Sequence, residues 1–293
     1  MEIRSLRDNL AAEILGLALW HDVAEADIAR LREAWQQFPV LVVRRQALSE
    51  GELTRFSRQF GPLAIVVKTA LQNTGPSEIS YVTNLKDGLG EPLGGLSYGE
   101  VAWHTDQAYR LNPATGAVLY AAEVPENAGR TSFNNLYLAW ENLPGNLKAA
   151  VEGREGVYSY HQRMYVGMKE AFSRDKPFTS DLMKQTPDVI HPLTLKHPLT
   201  GRTALYFDVS TLTHIVGLSV EESQELIDAV APHVTRDAYV YTHNWQPGDV
   251  VMWDNGCLLH RRDPFDPRLM RLMKRTTVHL PAERHCVPAG RLA

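Results

Sequence analysis

His104, Asp106 and His260 are the residues whose types and spacing could hold a metal ion in this 293-residue chain. In Trp103-His104-Thr105-Asp106 the two ligand types stand two apart. On a strand, or at its end, such residues point to one side, so one ion could take an imidazole nitrogen and a carboxylate oxygen from them. By itself an H-x-D pair also describes a surface histidine beside a turn aspartate. His260 comes much later, after Gly248-Asp249 and an apolar run that closes with Trp253-Asp254-Asn255. That order puts it after a short connection at the mouth of a core; alone, it could equally be a satisfied strand histidine. Two histidines and a carboxylate on one face of a barrel make the facial set of non-haem iron oxygenases, which leaves three coordination positions open. Arg271 and Arg275 follow, four apart, and on a strand they would share a face. Two guanidinium groups turned into a barrel are costly unless anions meet them, and a bidentate carboxylate contact is their natural use. The plainer alternative is an exposed basic edge, since Arg261, Arg262, Arg268 and Lys274 are close by.

Two helices are expected early in the chain to help position these residues. Asp27 can cap a segment in which Ile28, Leu31, Trp35 and Phe38 recur at helical spacing, and residues 40–43 follow as a buried strand. Ser49 and Glu52 form a capping box for a second helix that stops at Gly61-Pro62. Residues 64–98, with turn formers concentrated between Asn84 and Gly95, read as a long mobile loop. From Val101 the pattern changes to short strands, at 116–122, 157–160, 204–208, 238–243, 249–253 and 276–280. Helices interrupt them near 136–143 and 219–230, the latter with a Ser219/Glu222 capping box. This is a mainly β pattern with flanking helices, a sandwich or jelly roll. No linker or internal repeat divides it, so one domain over 1–293 is expected.

Composition narrows the partners. With 30 Lys+Arg against 34 Asp+Glu the formal net charge is −4, which argues against nucleic acid or an anionic membrane. Only Cys257 and Cys286 are present, so there is no disulfide framework, and a reducing compartment fits. Neither a signal peptide nor a long apolar span is visible. A soluble cytoplasmic protein acting on a small molecule is the expectation, with homo-oligomerisation left open.

Taken together and in order, the motifs resemble the Fe(II)/2-oxoglutarate-dependent dioxygenases of the TauD/TfdA family (taurine dioxygenase and 2,4-dichlorophenoxyacetate dioxygenase). The resemblance covers nearly the whole chain. It rests on Phe56-Ser57-Arg58-Gln59-Phe60-Gly61-Pro62, Trp103-His104-Thr105-Asp106 and Gly129-Arg130-Thr131-Ser132-Phe133. It continues through His197-Pro198-Leu199-Thr200-Gly201-Arg202, Ile215-Val216-Gly217, Trp253-Asp254-Asn255 and the run from His260 to Arg275. It implies a double-stranded β-helix, a cupin-like jelly roll, as the core over 101–281, preceded by a helical and strand region over 1–63. It implies that His104, Asp106 and His260 hold Fe(II) and that Arg271, helped by Thr131, binds the distal carboxylate of 2-oxoglutarate. The oxo acid then chelates the iron at its other end, O2 takes the last position, and succinate and CO2 form as a substrate C–H bond is hydroxylated or desaturated. Related halogenases lack the carboxylate ligand, so Asp106 argues against halogenation. The length of residues 68–99, their turn formers and their place just before His104 suggest a lid.

The substrate residues depart from the taurine-cleaving pattern. Members of that type carry a His and a Tyr where this chain reads Val66-Val67-Lys68-Thr69-Ala70-Leu71, an Asn where Glu100 stands, and an aromatic near Thr211. Only Arg275 remains of the sulfonate grip. The expected substrate is therefore a small anion that meets Arg275, with Gln107 and Tyr109 lining its pocket. It could be a carboxylate, sulfonate, sulfate or phosphonate, and an amino-acid-derived intermediate such as a tyrosine isonitrile is compatible. The alternative is that Arg275 pairs with a protein carboxylate such as Glu100 or Asp254 and only braces the site. His191, His197, His243, His279 and His285 read as structural, because no Cys/His pair has zinc-ligand spacing. Two other classes compete. A jelly-roll metal hydrolase would need a general base at fitting spacing and has no use for Arg271. A non-catalytic cupin-like metal-binding protein would be expected to have lost ligands.

Overall fold

The computed structural model describes residues 1–65, 77–95, 98–162 and 184–293. The chain opens on an antiparallel hairpin, β1 (Glu2–Arg7) and β2 (Ala11–Leu15), which precedes the expected helices. Helix α1 (Glu25–Gln37) buries Ile28, Leu31, Ala34 and Trp35. Its N-cap is Ala24, and Asp27 lies inside the first turn, where a carboxylate still favours the positive end of the helix. Strand β3 (Val40–Val43) returns parallel to β2, so α1 is the crossover that a parallel pair requires. Helix α2 (Glu50–Ser57) has both arms of its capping box: Ser49 Oγ accepts from Glu52 N at 3.3 Å and Glu52 Oε2 accepts from Ser49 N at 2.7 Å.

The next strands are β4 (Ser80–Thr83), β5 (Val101–His104), β6 (Gly116–Glu123) and β7 (Thr131–Asn135). Helices α3 (Leu136–Glu141) and α4 (Gly145–Val151) follow, then β8 (Glu155–Tyr158) and a single turn, α5 (Tyr160–Gln162). After them come β9 (Val189–Pro192), β10 (Thr194–Lys196), β11 (Thr203–Leu205) and β12 (Leu212–Ile215). Helix α6 (Val220–Val234) carries the Ser219/Glu222 capping box read from the sequence. Strands β13 (Val240–His243), β14 (Val250–Asp254), β15 (Leu258–Arg262), β16 (Leu272–Val278) and β17 (Arg291–Leu292) complete the chain.

Two sheets form the jelly-roll core. One has the order β1-β2-β3-β14-β6-β16-β4 and the other β13-β7-β15-β5. The apolar runs in the first sheet have no polar face because both its faces are covered. Val40, Val42, Ala117, Leu119, Val251 and Trp253 belong to the core it shares with the second sheet. The alternate residues Leu41, Val43, Val118, Tyr120, Val250 and Met252 pack with α1 and α2. A smaller sheet, β12-β8-β9-β17, and the β10-β11 pair extend the core beside α3 and α6.

The structure corrects two further readings. Residues 64–98 are not one loop, since β4 pairs antiparallel with β16 and places Ser80 opposite Arg275. The last long strand begins at Leu272 rather than Thr276, and a bulge between Leu272 and Met273 interrupts its pairing with β6. The turn into β14 needs glycine: Gly248 has φ +87°, and a Cβ there would stand 2.7 Å from the Gln46 carbonyl oxygen.

Candidate metal centre and co-substrate pocket

The two histidines meet because of strand register. In the β5–β15 pair His260 stands opposite His104, and their ring centroids are 4.1 Å apart. Asp106 lies two residues past the end of β5, with Oδ1 3.9 Å from Nε2 of His104 and 3.9 Å from Nε2 of His260. All three residues are buried, and one ligand atom from each falls within 4.8 Å of the others. The Nδ1 of His104 is 2.8 Å from the Ala102 carbonyl. A carbonyl only accepts, so this nitrogen carries the proton and the Nε2 lone pair faces the centre.

The carboxylate is held from behind. Asn255 Nδ2 donates to Asp106 Oδ2 at 3.4 Å, and Asn255 Oδ1 accepts from Trp253 Nε1 at 2.8 Å. Thr105 Oγ1 donates to the Asn255 carbonyl at 2.8 Å, tying the turn after β5 to the end of β14. The rings of Trp253 and Phe133 flank His260 at 5.0 and 6.2 Å. Two imidazoles and a carboxylate, with no sulfur, suit a divalent ion such as Fe(II).

Arg275 Nη1 donates to Asp106 Oδ1 at 3.1 Å. The protein carboxylate beside Arg275 is thus Asp106, not Glu100, which is exposed, nor Asp254, which is bound by His285 Nδ1 at 2.8 Å. The buried Nε of Arg275 has no hydrogen-bond partner among the described residues.

Arg271 precedes β16 and is 2% exposed. Its backbone is pinned by the segment expected to be loop: its N–H donates to Asn84 Oδ1 at 3.0 Å and its carbonyl accepts from Thr83 Oγ1 at 2.6 Å. Its Nε and Nη1 have no hydrogen-bond partner among the described residues. Burial, and next the charge of Arg262, push its pKa down to about 9. Thr131 Oγ1 accepts from Trp245 Nε1 at 2.9 Å, which leaves the hydroxyl proton for another acceptor. Gly129, at φ +61°, lets the chain pass beside the Arg271 side chain; a Cβ there would stand 3.5 Å from Arg271 Nε. A cavity of about 50 Å³ joins His104 and His260 to Thr131, Arg262, Arg271 and Arg275, with Val82, Val101, Leu119 and Trp253 as its apolar walls.

The taurine catabolism dioxygenase TauD, TfdA family matches this chain over residues 2–277. The chain belongs to the TauD/TfdA family. It is 31% identical over 273 residues to the (S)-phenoxypropionate/alpha-ketoglutarate-dioxygenase of Sphingobium herbicidovorans, covering 93% of this chain and 92% of that one. It is 29% identical to the pentalenolactone F synthase of Streptomyces arenae, with 90% of each chain covered. The crystal structure of a taurine dioxygenase from Burkholderia xenovorans superposes with a TM-score of 0.77 at 28% identity, covering 98% of this chain and 94% of that one.

Within this TauD/TfdA chain the remaining sequence candidates fall elsewhere. Gln107 occupies a turn at φ +59°, where its carbonyl accepts from Arg110 N at 2.8 Å. The ring of Tyr109 lies 4.8 Å from that of Tyr160 and lines a second cavity of about 450 Å³ with Arg110 and Val189. Neither is among the residues that line the His104 cavity. Thr211 is buried in a turn, its N–H donating to the Asp208 carbonyl at 3.1 Å. Lys68 and the rest of 66–71 lie outside the described residues. His191, His197, His243 and His285 are buried in protein hydrogen bonds, as expected of structural histidines. Sequence reasoning assigned no role to Asn255, Asn84 or Arg262. Asn255 was visible in the Trp253-Asp254-Asn255 motif, whereas Asn84 appeared only as a turn former.

Proposed function

We propose that His104, Asp106 and His260 hold Fe(II), that Arg271 with Thr131 takes the distal carboxylate of 2-oxoglutarate, and that a small anionic substrate docks at Arg275. The chain is a 2-oxoglutarate-dependent dioxygenase, an oxidoreductase that works with Fe(II), 2-oxoglutarate and O2. One observation carries the assignment of roles: a buried guanidinium whose Nε and Nη1 have no hydrogen-bond partner among the described residues lines the same small cavity as His104 and His260, two of the three convergent ligands. A molecule with a carboxylate at one end and a chelating oxo acid at the other satisfies both.

When bound, Fe(II) with 2-oxoglutarate and O2 supplies the oxidising power that turns the oxo acid into succinate and CO2 and hydroxylates or desaturates a substrate C–H bond. The protein's own groups set the geometry. The Ala102 carbonyl keeps the His104 lone pair turned inward, and Asn255 fixes the second oxygen of Asp106. Trp253, Val101 and Leu119 give the cavity apolar walls between its charged groups. Arg275 neutralises Asp106 with one N–H and keeps a buried Nε for a substrate anion. The name of one relative, a phenoxypropionate dioxygenase, supports an organic, carboxylate-bearing substrate. The carboxylate of an amino-acid derivative, a tyrosine isonitrile included, would meet the same guanidinium. Gln107 and Tyr109 can touch only a substrate that extends beyond the cavity.

The test is anaerobic addition of Fe(II) and 2-oxoglutarate, followed by a screen for substrate-dependent succinate release. Wild-type protein should develop the weak visible charge-transfer band of the chelate, and His260→Ala should not. Phenoxy acids and other carboxylates should release more succinate than taurine. Absence of the band from the wild-type protein would overturn the proposed ligand roles.

A further inference from the structure

The cavity that ends at Arg271 contains a second buried guanidinium. Arg262 closes β15 two residues after His260, so the two side chains share a face of the strand. Pairing with β7 places it opposite Thr131, and pairing with β5 places it opposite Val101. Arg262 is 5% exposed. Its guanidinium carbon lies 5.5 Å from the Phe265 ring centroid, and that of Arg271 lies 5.9 Å from the same centroid. Both side chains line the one cavity, and the charge of Arg262 is among the causes that lower the pKa of Arg271. Nη2 of Arg262 donates to the Gly99 carbonyl, which fixes the side chain in place.

Two like charges buried along one cavity repel, and an anion shared between them removes that cost. A carboxylate has two oxygens and can accept from two guanidinium groups at once. We infer that Arg262 is a second anchor for the distal carboxylate of 2-oxoglutarate, which it shares with Arg271 and Thr131. The inference rests on the reading of Arg271 given above. Its contact with Gly99 also joins this anchor to the backbone that leads into β5 and His104.

Calorimetric titration of the Mn(II)-loaded protein, which reads binding without turnover, tests this. Arg262→Gln should weaken 2-oxoglutarate binding about 10- to 100-fold, the loss expected for a charge-assisted contact. Binding of 2-oxopentanoate, which lacks the distal carboxylate, should be weak in the wild type and unchanged by the substitution. Arg262→Lys keeps the charge and should lose less, and it decides the matter if Arg262→Gln fails to fold. An unchanged 2-oxoglutarate Kd in a folded variant, or an equal loss for both oxo acids, would show that Arg262 only braces Gly99. A wild-type protein that binds no 2-oxoglutarate would overturn the functional reading itself, and this inference with it.

Discussion

Asp106 is the residue on which the centre converges, since Oδ1 faces both histidines and Arg275 while Oδ2 meets Asn255. His104→Ala, Asp106→Ala or His260→Ala should each abolish metal-dependent turnover with the far-ultraviolet circular dichroism unchanged, because two remaining donors make a weak site. Wild-type metal affinity in any of the three would refute the set. Arg271→Ala should raise the KM for 2-oxoglutarate by an amount worth about 2–4 kcal/mol with little change in iron affinity. Thr131→Ala should act the same way, more weakly; the check is to vary iron and 2-oxoglutarate separately in a succinate assay. His104 and Asp106 stood out because strand periodicity makes H-x-D a same-side pair and Arg271 because buried arginines need anions, whereas Thr131 entered only through the family resemblance. The roles of Asn255, although it stands in a recognised motif, and of Arg262 were not legible, since they depend on which strands lie beside them. The register pairs Arg262 with Thr131 from a distant part of the chain.

At the scale of elements, β4 shows why a loop reading fails. It is four residues long and only half buried, so its own sequence carries little strand signal; it forms because β16 offers a free edge. Its neighbour Asn84 then staples the approach to β16: Nδ2 donates to the carbonyls of Pro267 and Leu269 while Oδ1 accepts from Arg271 N–H. Asn84→Ala should therefore raise the KM for 2-oxoglutarate by an amount worth about 1–2 kcal/mol and leave the metal affinity unchanged. Equal KM values would show that Arg271 is placed by β16 alone. The hairpin β1–β2 was missed for a related reason, since β1 is an almost wholly exposed edge strand. The two capping boxes were legible because their partners are only three residues apart. Of the lid expected over 68–99, residues 68–76, 96 and 97 lie outside the described residues, and a lid remains our proposal for 85–95 and 98–99. Hydrogen exchange should slow in 85–95 and 98–99 when both ligands bind, with 80–83 protected throughout, and equal exchange with and without ligands would remove the lid.

For the whole molecule, the two core sheets and the layers around them bury histidines that are not among the three metal-ligand candidates, and this sets a pH limit on the fold. His191 and His243 are fully buried and His197 is 2% exposed. Burial lowers the pKa of each from its ordinary value of 6.5, against smaller opposing effects from the Arg110 carbonyl on His191, Asp254 on His197 and Asp249 on His243. A group whose pKa is lower in the folded state binds fewer protons there than in the unfolded chain. Its contribution to stability is therefore intact above 6.5 and is lost as the pH falls below it. Each histidine can remove at most about 1.4 kcal/mol per pH unit until its own folded pKa is reached. Urea unfolding at pH 7.5, 6.5 and 5.5 should accordingly show little change between the first two and a clear loss of stability at the third. The His243→Gln variant should reduce that loss, because one of these three buried histidines, whose protonation favours the unfolded chain, is gone. Stability that stayed level from pH 7.5 to 5.5 would mean that these histidines accept protons as readily in the folded protein as in the unfolded chain.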